Sequence, residues 1–404
     1  MTAALVANAV RPSHNQYAGV PAFAVGWPTT ELAPQFLTLT VADLAISLLR
    51  RRIGLGGAAV SVASIAGLAW LVRKAQDTRQ IAETALQEGL GADYRMQYDG
   101  ADEPELGDTV GLAELARPFH FKDPEIEVTR NINYTDGGRR ARLDIYRPRR
   151  PLAGAPVLIQ VHGGGWTIGN KEEQGRLLMN RMCKLGWVCV AVNYRLSPKH
   201  KWPKHIIDVK RSIAWVRENI AAYGGDPDYL VLTGGSAGGH LSSLAAVSAD
   251  VKEFQPGFED ADTSVAGCIP FYGIYDMLGE DEDPYTIGLR DQFLADRVFG
   301  ISDVPANLEA FRLASALYHL DETATDFFVL HGVNDTLVSV RQARAFVARL
   351  REVSRRSVTY AELPGAQHAF EVFGSIRAHH AVAAAQRWLQ WHRRRWLAER
   401  DAHS

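Results

Sequence analysis

The chain has 404 residues, 47% of them apolar and 22% charged, with a formal net charge of −2. That balance describes a globular protein with a sizeable core, long enough for one large domain plus a substantial addition. A near-neutral chain with no basic, aromatic-interleaved patch in its body excludes nucleic acid as a partner, and three cysteines without a CxxC pair argue against a disulfide framework or a metal site.

Residues 1–35 are rich in Pro, Gly and Ala and are expected to lack regular structure. No cleavable signal peptide is evident, because Arg11 follows the short apolar run 2–10 instead of preceding it. Residues 36–49, apolar around Asp43, predict a helix. Next, 53–72 (IGLGGAAVSVASIAGLAWLV) runs for 20 residues without a charge, between Arg50, Arg51, Arg52 on one side and Arg73, Lys74 on the other. As a helix it reaches roughly 30 Å, the thickness of a bilayer's hydrocarbon core. Two readings stay open: a membrane-spanning or membrane-inserted segment, or a buried Ala-rich hairpin helix packed on the rest of the chain. Gly54-x-Gly56-x-x-Ala59 imitates a dinucleotide fingerprint but follows three arginines and no strand, so no cofactor is expected from it. Residues 75–90 are polar with helical spacing at Ile81, Ala85 and Leu86. The acidic, loop-like stretch 99–108 makes a boundary. Residues 1–115 are thus expected to form an N-terminal, largely helical extension.

From about residue 120 short β-rich runs alternate with helical ones. Strands are predicted at 127–134, 142–146, 156–161, 188–193, 229–233, 265–271, 327–330 and 358–363, the first two as a hairpin around Asp136-Gly137-Gly138. Helices are predicted near 174–185, 205–222, 237–249, 339–353 and 376–398. Nearly continuous apolar strands such as VLIQV and VCVAV suit a parallel sheet covered on both faces. The alternation implies a doubly wound α/β domain over 116–398, its mostly parallel sheet led by an antiparallel hairpin. The stretch between two strands at 272–325 is too long for a simple crossover and reads as a cap, about 273–325. Glu280 to Asp283 (EDED) is expected to be a solvated cap loop, and 399–404 a tail.

Residues 229–239 read Tyr-Leu-Val-Leu-Thr-Gly234-Gly235-Ser236-Ala237-Gly238-Gly239. This is GxSxG between an apolar strand and a small-residue helix, the setting in which a sharp turn lifts a serine above a sheet edge. A glycine-rich turn without chemistry would share the pattern, so the motif needs company. It comes from Val161-His162-Gly163-Gly164-Gly165-Trp166, where another apolar strand enters a glycine loop. Backbone N–H groups there can approach a developing oxyanion. The donors are assigned to Gly164 and Gly165, with Ala237 as a third. No GKS or GKT follows, so the loop is not a P-loop. His162 is expected to brace the glycine loop by a hydrogen bond, with Gly163 and Trp166 supporting it.

A triad needs an acid and then a histidine, each on a loop after a later strand. Asp335 follows the strand at 327–330 and His368 follows the one at 358–363. His368 would take the serine proton, and Asp335 would fix the imidazole tautomer. Asp321 and Asp326 precede their strand; His331 ends a strand, and His379 and His380 lie in a helix.

With these pieces the chain resembles the hormone-sensitive-lipase-like branch of the α/β-hydrolase esterases, and is similar in particular to mycobacterial carboxylesterases and lipases. The matching residues are His162 to Trp166, Asn193-Tyr194-Arg195-Leu196-Ser197-Pro198, Gly225-Asp226-Pro227, Gly234 to Gly239, and the loops of Asp335 and His368. The likeness covers about 120–398. It implies an α/β-hydrolase fold with an eight-stranded sheet, a cap over the site, and hydrolysis of short- to medium-chain acyl esters without a cofactor. Position 235 departs from the pattern, being Gly where Asp, Glu or Thr is frequent, and the acid loop reads Asn-Asp-Thr-Leu-Val.

The expected function is a carboxylic ester hydrolase, a serine esterase or lipase, working through an acyl-enzyme on a small-molecule acyl ester. A formamidase-like amide hydrolase is the near alternative, and a non-catalytic binding protein on the same fold the distant one. Membrane contact is expected through 53–72. It is also expected through 387–400 (RWLQWHRRRWLAER), unless that segment is simply the last packed helix with a basic tail. Such contact would place the protein at the membrane or cell envelope, the alternative being the cytoplasm.

Overall fold

The computed structural model describes residues 2–14, 18–97, 107, 110–280 and 283–402. The acidic boundary at 99–108 lies, apart from Gly107, outside the described residues, as do Asp281 and Glu282 of the EDED run and His403 and Ser404; the tail expected from 399 is corrected, since the last helix continues through Ala402.

The N-terminal region holds helices α1 (Thr2–Val10), α2 (Gly19–Glu31), α3 (Ala33–Leu49), α4 (Leu55–Leu90) and the short α5 (Leu112–Leu115). The expectation of irregular chain over 1–35 is therefore corrected. Pro21 falls in the first turn of α2, where no intrahelical N–H is required. The apolar small residues of α1 and α2 gain their order from packing: Val6 and Ala9 are buried against Leu68 and Leu71 of α4. The chain bends by 79° between α2 and α3. α4 continues through both the apolar 53–72 stretch and the polar 75–90 stretch. Among the described residues it is the one helix long and apolar enough to cross a membrane, and the bent pair of α2 and α3 passes the same test if taken as one span.

The rest of the chain carries β1 (Ile126–Asn133), β2 (Arg142–Pro148), β3 (Ala155–Val161), α6 (Arg176–Lys184), β4 (Val188–Val192), α7 (Lys204–Asn219), β5 (Gly225–Gly235) and α8 (Ala237–Ala246). It continues with β6 (Gly267–Phe271), α9 (Pro284–Leu289), a π-helical stretch Arg290–Phe299 and α10 (Leu308–Leu313). Last come β7 (Asp326–Gly332), α11 (Val340–Val353), β8 (Val358–Leu363) and α12 (Ile376–Ala402). The strands form one sheet in the order β1-β2-β4-β3-β5-β6-β7-β8. β1 pairs antiparallel with β2, and β2 antiparallel with β4. All later pairings are parallel, so the sheet is mixed.

Side chains alternate along each strand with period two. Val157, Ile159 and Val161 join one core with residues of α7, α8 and α11, whereas Leu158 joins a second core with residues of α6 and α12. α4 also enters that second core, through Ala82, Ala85 and Leu86. The extension thus supplies a helix to one covered face of the sheet. The segment between β6 and β7, where the cap was expected, buries Leu294, Val298 and Phe311 in the first core. Cys183, Cys189 and Cys268 are free and buried.

Candidate active site

β5 runs into α8 at Ser236, which adopts φ 58 and ψ −124. That left-handed backbone is costly for a residue with a β-carbon and holds only where the surroundings enforce it. The surroundings are glycines. A β-carbon on Gly234 would come within 2.5 Å of the Val161 carbonyl oxygen, and one on Gly238 within 2.1 Å of the same atom. The Ser236 N–H donates to the Phe271 carbonyl at 3.0 Å, fixing the turn to the end of β6.

The glycine loop after β3 lies on this turn. A β-carbon on Gly163 would sit 2.6 Å from the Gly235 oxygen and 3.2 Å from the Ser236 β-carbon. The Gly163 N–H donates to Gln174 Oε1 at 2.7 Å. Gly164 and Gly165 take φ +115 and +56, and the Gly164 carbonyl turns back to accept from the N–H groups of Thr167 and Ile168. Among the described residues no acceptor takes the N–H of Gly164, Gly165 or Ala237.

His162 braces the loop. Its Nδ1 donates to the Gly163 carbonyl at 2.7 Å, and its ring stacks on Tyr194 at 4.3 Å. Burial pushes its pKa down to about 4, so the ring is neutral near pH 7. Trp166 reaches the other way. Its Nε1–H donates to His240 Nδ1 at 3.2 Å, which leaves His240 Nε2–H to donate to the Ala314 carbonyl at 2.7 Å. The glycine loop is thereby tied to the segment between β6 and β7.

Asp335 and His368 occupy loops after β7 and β8. His368 Nδ1 donates to Asp335 Oδ2 at 2.6 Å. Asp335 Oδ1 accepts from the N–H groups of Leu337 and Val338 at 2.9 and 2.8 Å. Burial raises the Asp335 pKa, but the charge of His368 and hydrogen bonds from His331 and His368 outweigh it and hold the carboxyl well below its usual range. Asp321 and Asp326 lie elsewhere: Asp326 pairs with Arg395 and His392 at the start of β7.

Five residues that local sequence did not single out complete the arrangement. Gln367 Oε1 accepts from the N–H of Thr336 and from that of His368, bridging the acid and histidine loops. The Tyr272 ring lies 4.5 Å from the His368 ring. A β-carbon on Gly235 would be 2.5 Å from the Tyr272 hydroxyl, which explains glycine at that position. Tyr272 therefore touches both the serine turn and the imidazole. Its hydroxyl hydrogen-bonds to the buried Glu371 carboxyl, which burial pushes up to about 7. From α2, Phe23 presents its ring edge to His368 at 5.9 Å, and Trp27 Nε1–H donates to the Ala369 carbonyl at 2.8 Å. The sole local signal for Tyr272 was its place just past a strand end. The N-terminal pair carried none. Among the described residues no group of three or more His, Cys, Asp or Glu is placed to hold a metal ion.

The BD-FAE family model matches residues 143–350. The chain is 42% identical to the probable carboxylic ester hydrolase LipM of Mycobacterium tuberculosis, over 96% of this chain and 91% of that protein. It is 40% identical to the esterase LipQ of the same organism, over 91% and 84%. Among solved structures it resembles a truncated carbohydrate esterase from gut microbiota, with TM-score 0.54 and 22% identity over 66% of this chain and 96% of that one. Apo Thermogutta terrifontis esterase 2 aligns with TM-score 0.53 and 23% identity over 65% and 92%. At those identities the two structures speak to the fold, which is that of the α/β-hydrolases.

Proposed function

The chain belongs to the BD-FAE family of α/β-hydrolases and is a serine-type carboxylic ester hydrolase; we propose that Ser236, His368 and Asp335 are its catalytic triad. The observation that supports this is the 2.6 Å bond from His368 Nδ1 to Asp335, together with a serine held at positive φ where β5 ends, on the same carboxyl edge of the sheet. With Nδ1 donating to Asp335, His368 Nε2 is the basic nitrogen that takes the Ser236 proton. The serine oxygen adds to the ester carbonyl, and the oxyanion that forms meets the N–H groups of Gly164, Gly165 and Ala237. His368 then protonates the leaving alcohol, and an acyl-enzyme remains on Ser236. Water, deprotonated by the same imidazole, releases the acid.

The substrate is read as a small acyl ester. The protein is read as membrane-associated through α4 and its partner α3, because large apolar side chains stand exposed along that hairpin, which carries one exposed charge at Asp43, and the chargeless stretch 53–72 has bilayer length. The segment 387–400 is not given that role. Trp388 and Trp391 are buried, Arg393 pairs with Asp226 and Arg395 with Asp326.

The test is turnover of an activated short-chain ester by Ser236→Ala, with fluorophosphonate labelling of the parent. Loss of several orders of magnitude in the variant and labelling at Ser236 are expected; near-normal turnover in the variant would overturn the assignment.

A further inference from the structure

α4 runs antiparallel to β8. At its far end a β-carbon on Gly89 would touch the Thr359 side chain at the start of β8, whereas a β-carbon on Gly365, just past the end of β8, would lie 3.4 Å from the Lys74 β-carbon. Everything in α4 before Lys74 therefore projects beyond the carboxyl edge of the sheet. Ser236, Asp335 and His368 sit on that same edge. α3 follows α4 outward: Ala33 and Phe36 pack against Leu68 and Leu71, so the two helices form a hairpin whose free end is 50–54. Its outer half is apolar and exposed, including Leu49 at 84% and Leu55 at 92%.

On α4 the charges are banded: Arg50, Arg51 and Arg52 mark the tip, and Arg73 and Lys74 mark the base, with the chargeless 53–72 between them, while α3 carries one exposed charge, Asp43, between the bands. The bands stand roughly 30 Å apart, the thickness of hydrocarbon in a bilayer. Trp70 lies one turn inside the base, with the Lys74 ammonium 5.9 Å from its ring centre. That is the placing of an aromatic at a headgroup boundary. A second protein would need no such match between charge spacing and bilayer thickness. The lower band abuts the loop that leads to His368. Other apolar side chains stand exposed near the site: Ile168 at 69% in the glycine loop and Phe119 at 65%, edge-on to the Phe373 ring that stacks on Trp27.

We infer that the carboxyl edge of the sheet faces the bilayer that takes up the α3–α4 hairpin, so that Ser236 receives its ester from the lipid phase. The substrate class is an acyl ester of a membrane lipid, with its ester group at headgroup depth. This rests on the reading of the protein as a membrane-associated serine esterase and adds orientation and source of substrate to it.

The full-length protein is tested on vesicles of equimolar phosphatidylcholine and phosphatidylglycerol. The three native cysteines are buried, so an environment-sensitive fluorophore can be placed singly at Phe119→Cys, Ile168→Cys or Glu322→Cys, the last just before β7 on the opposite edge. Vesicles should blue-shift the probes at 119 and 168 and leave 322 unchanged. No vesicle binding, or a shift at 322 alone, overturns the proposal.

In the second arm, Leu39→Ser, Ile46→Ser, Leu55→Ser and Val62→Ser are combined. This variant should keep p-nitrophenyl butyrate turnover in solution within about twofold, and hydrolyse vesicle-borne dioleoylglycerol about tenfold or more slowly than the parent. Equal rates on vesicle-borne ester overturn the proposal. If the variant loses both activities it has misfolded, and the fluorophore arm decides. A parent inactive on p-nitrophenyl butyrate would instead sink the esterase mechanism, a separate outcome.

Discussion

Trp27 donates its indole N–H to the carbonyl of Ala369, 342 positions away in sequence, at 2.8 Å. Ala369 follows His368, the proposed catalytic base, and has φ 59. A residue of the N-terminal region thus holds the strained backbone that aims His368. Trp27→Phe keeps the ring stack on Phe373 but strands a carbonyl, at a cost of about 1–3 kcal/mol if no water replaces the donor. Lower kcat on a soluble ester, little change in KM and a lower Tm are expected; unaltered kcat and Tm would show that α2 does not position the histidine.

The second link is Asp335 to His368. Asp335→Asn can still accept from Leu337 and Val338, but its amide favours the wrong imidazole tautomer. Turnover of a soluble ester should fall by about three to four orders of magnitude with the fold intact. A loss under tenfold, in protein whose circular dichroism matches the parent, would remove Asp335 from the triad.

Glu371 carries a pH signature in stability. Burial pushes its carboxyl from about 4.5 up to about 7, against the Tyr272 hydrogen bond. Between those values the unfolded chain has released its proton while the folded chain keeps it, so stability falls as pH rises and levels off above 7. Glu371→Gln keeps an acceptor for Tyr272 and removes the titration. Relative to the parent it should gain Tm on going from pH 5 to pH 8. A parent-to-variant gap that is constant with pH would contradict the assignment.

Gly235 faces Tyr272. A methyl group at 235 would overlap the tyrosine ring at 2.8 Å. Gly235→Ala should destabilise the protein by about 1–3 kcal/mol, and in a Tyr272→Ala background the same change should cost much less. The coupling is measured as a double-mutant cycle in urea; strictly additive effects would mean that the contact does not exclude a side chain.

The extension also belongs to the stability of the whole. Arg377 is fully buried and pairs with Glu31 at 3.1 Å, and Leu86 of α4 is buried in the sheet's second core. A chain starting near residue 115 strands the Arg377 charge and uncovers that face. Such a protein should be recovered insoluble or without cooperative unfolding; a soluble, fully active product would refute the dependence.

What the sequence determined by itself is local. The serine turn, the glycine loop, Asp335 and His368 were each legible because each follows an apolar strand, and a strand end with glycines constrains the backbone within a few residues. The eight strands and their order of appearance were legible for the same reason, since side chains on strands alternate or run apolar. Tertiary structure alone decided the rest. The helices at 2–10 and 19–31 gain their order from packing on α4 and the rest of the chain, and apolar runs containing Pro and Gly do not announce such partners. Trp27, Glu31 and Phe23 meet the histidine loop across more than three hundred positions, and Tyr272 occupies the space that makes glycine necessary at 235. Whether 53–72 packs or projects was likewise undecided, because length and composition suit both. The register of α4 against β8 places Lys74 at the strand's end and the apolar half of the helix beyond it.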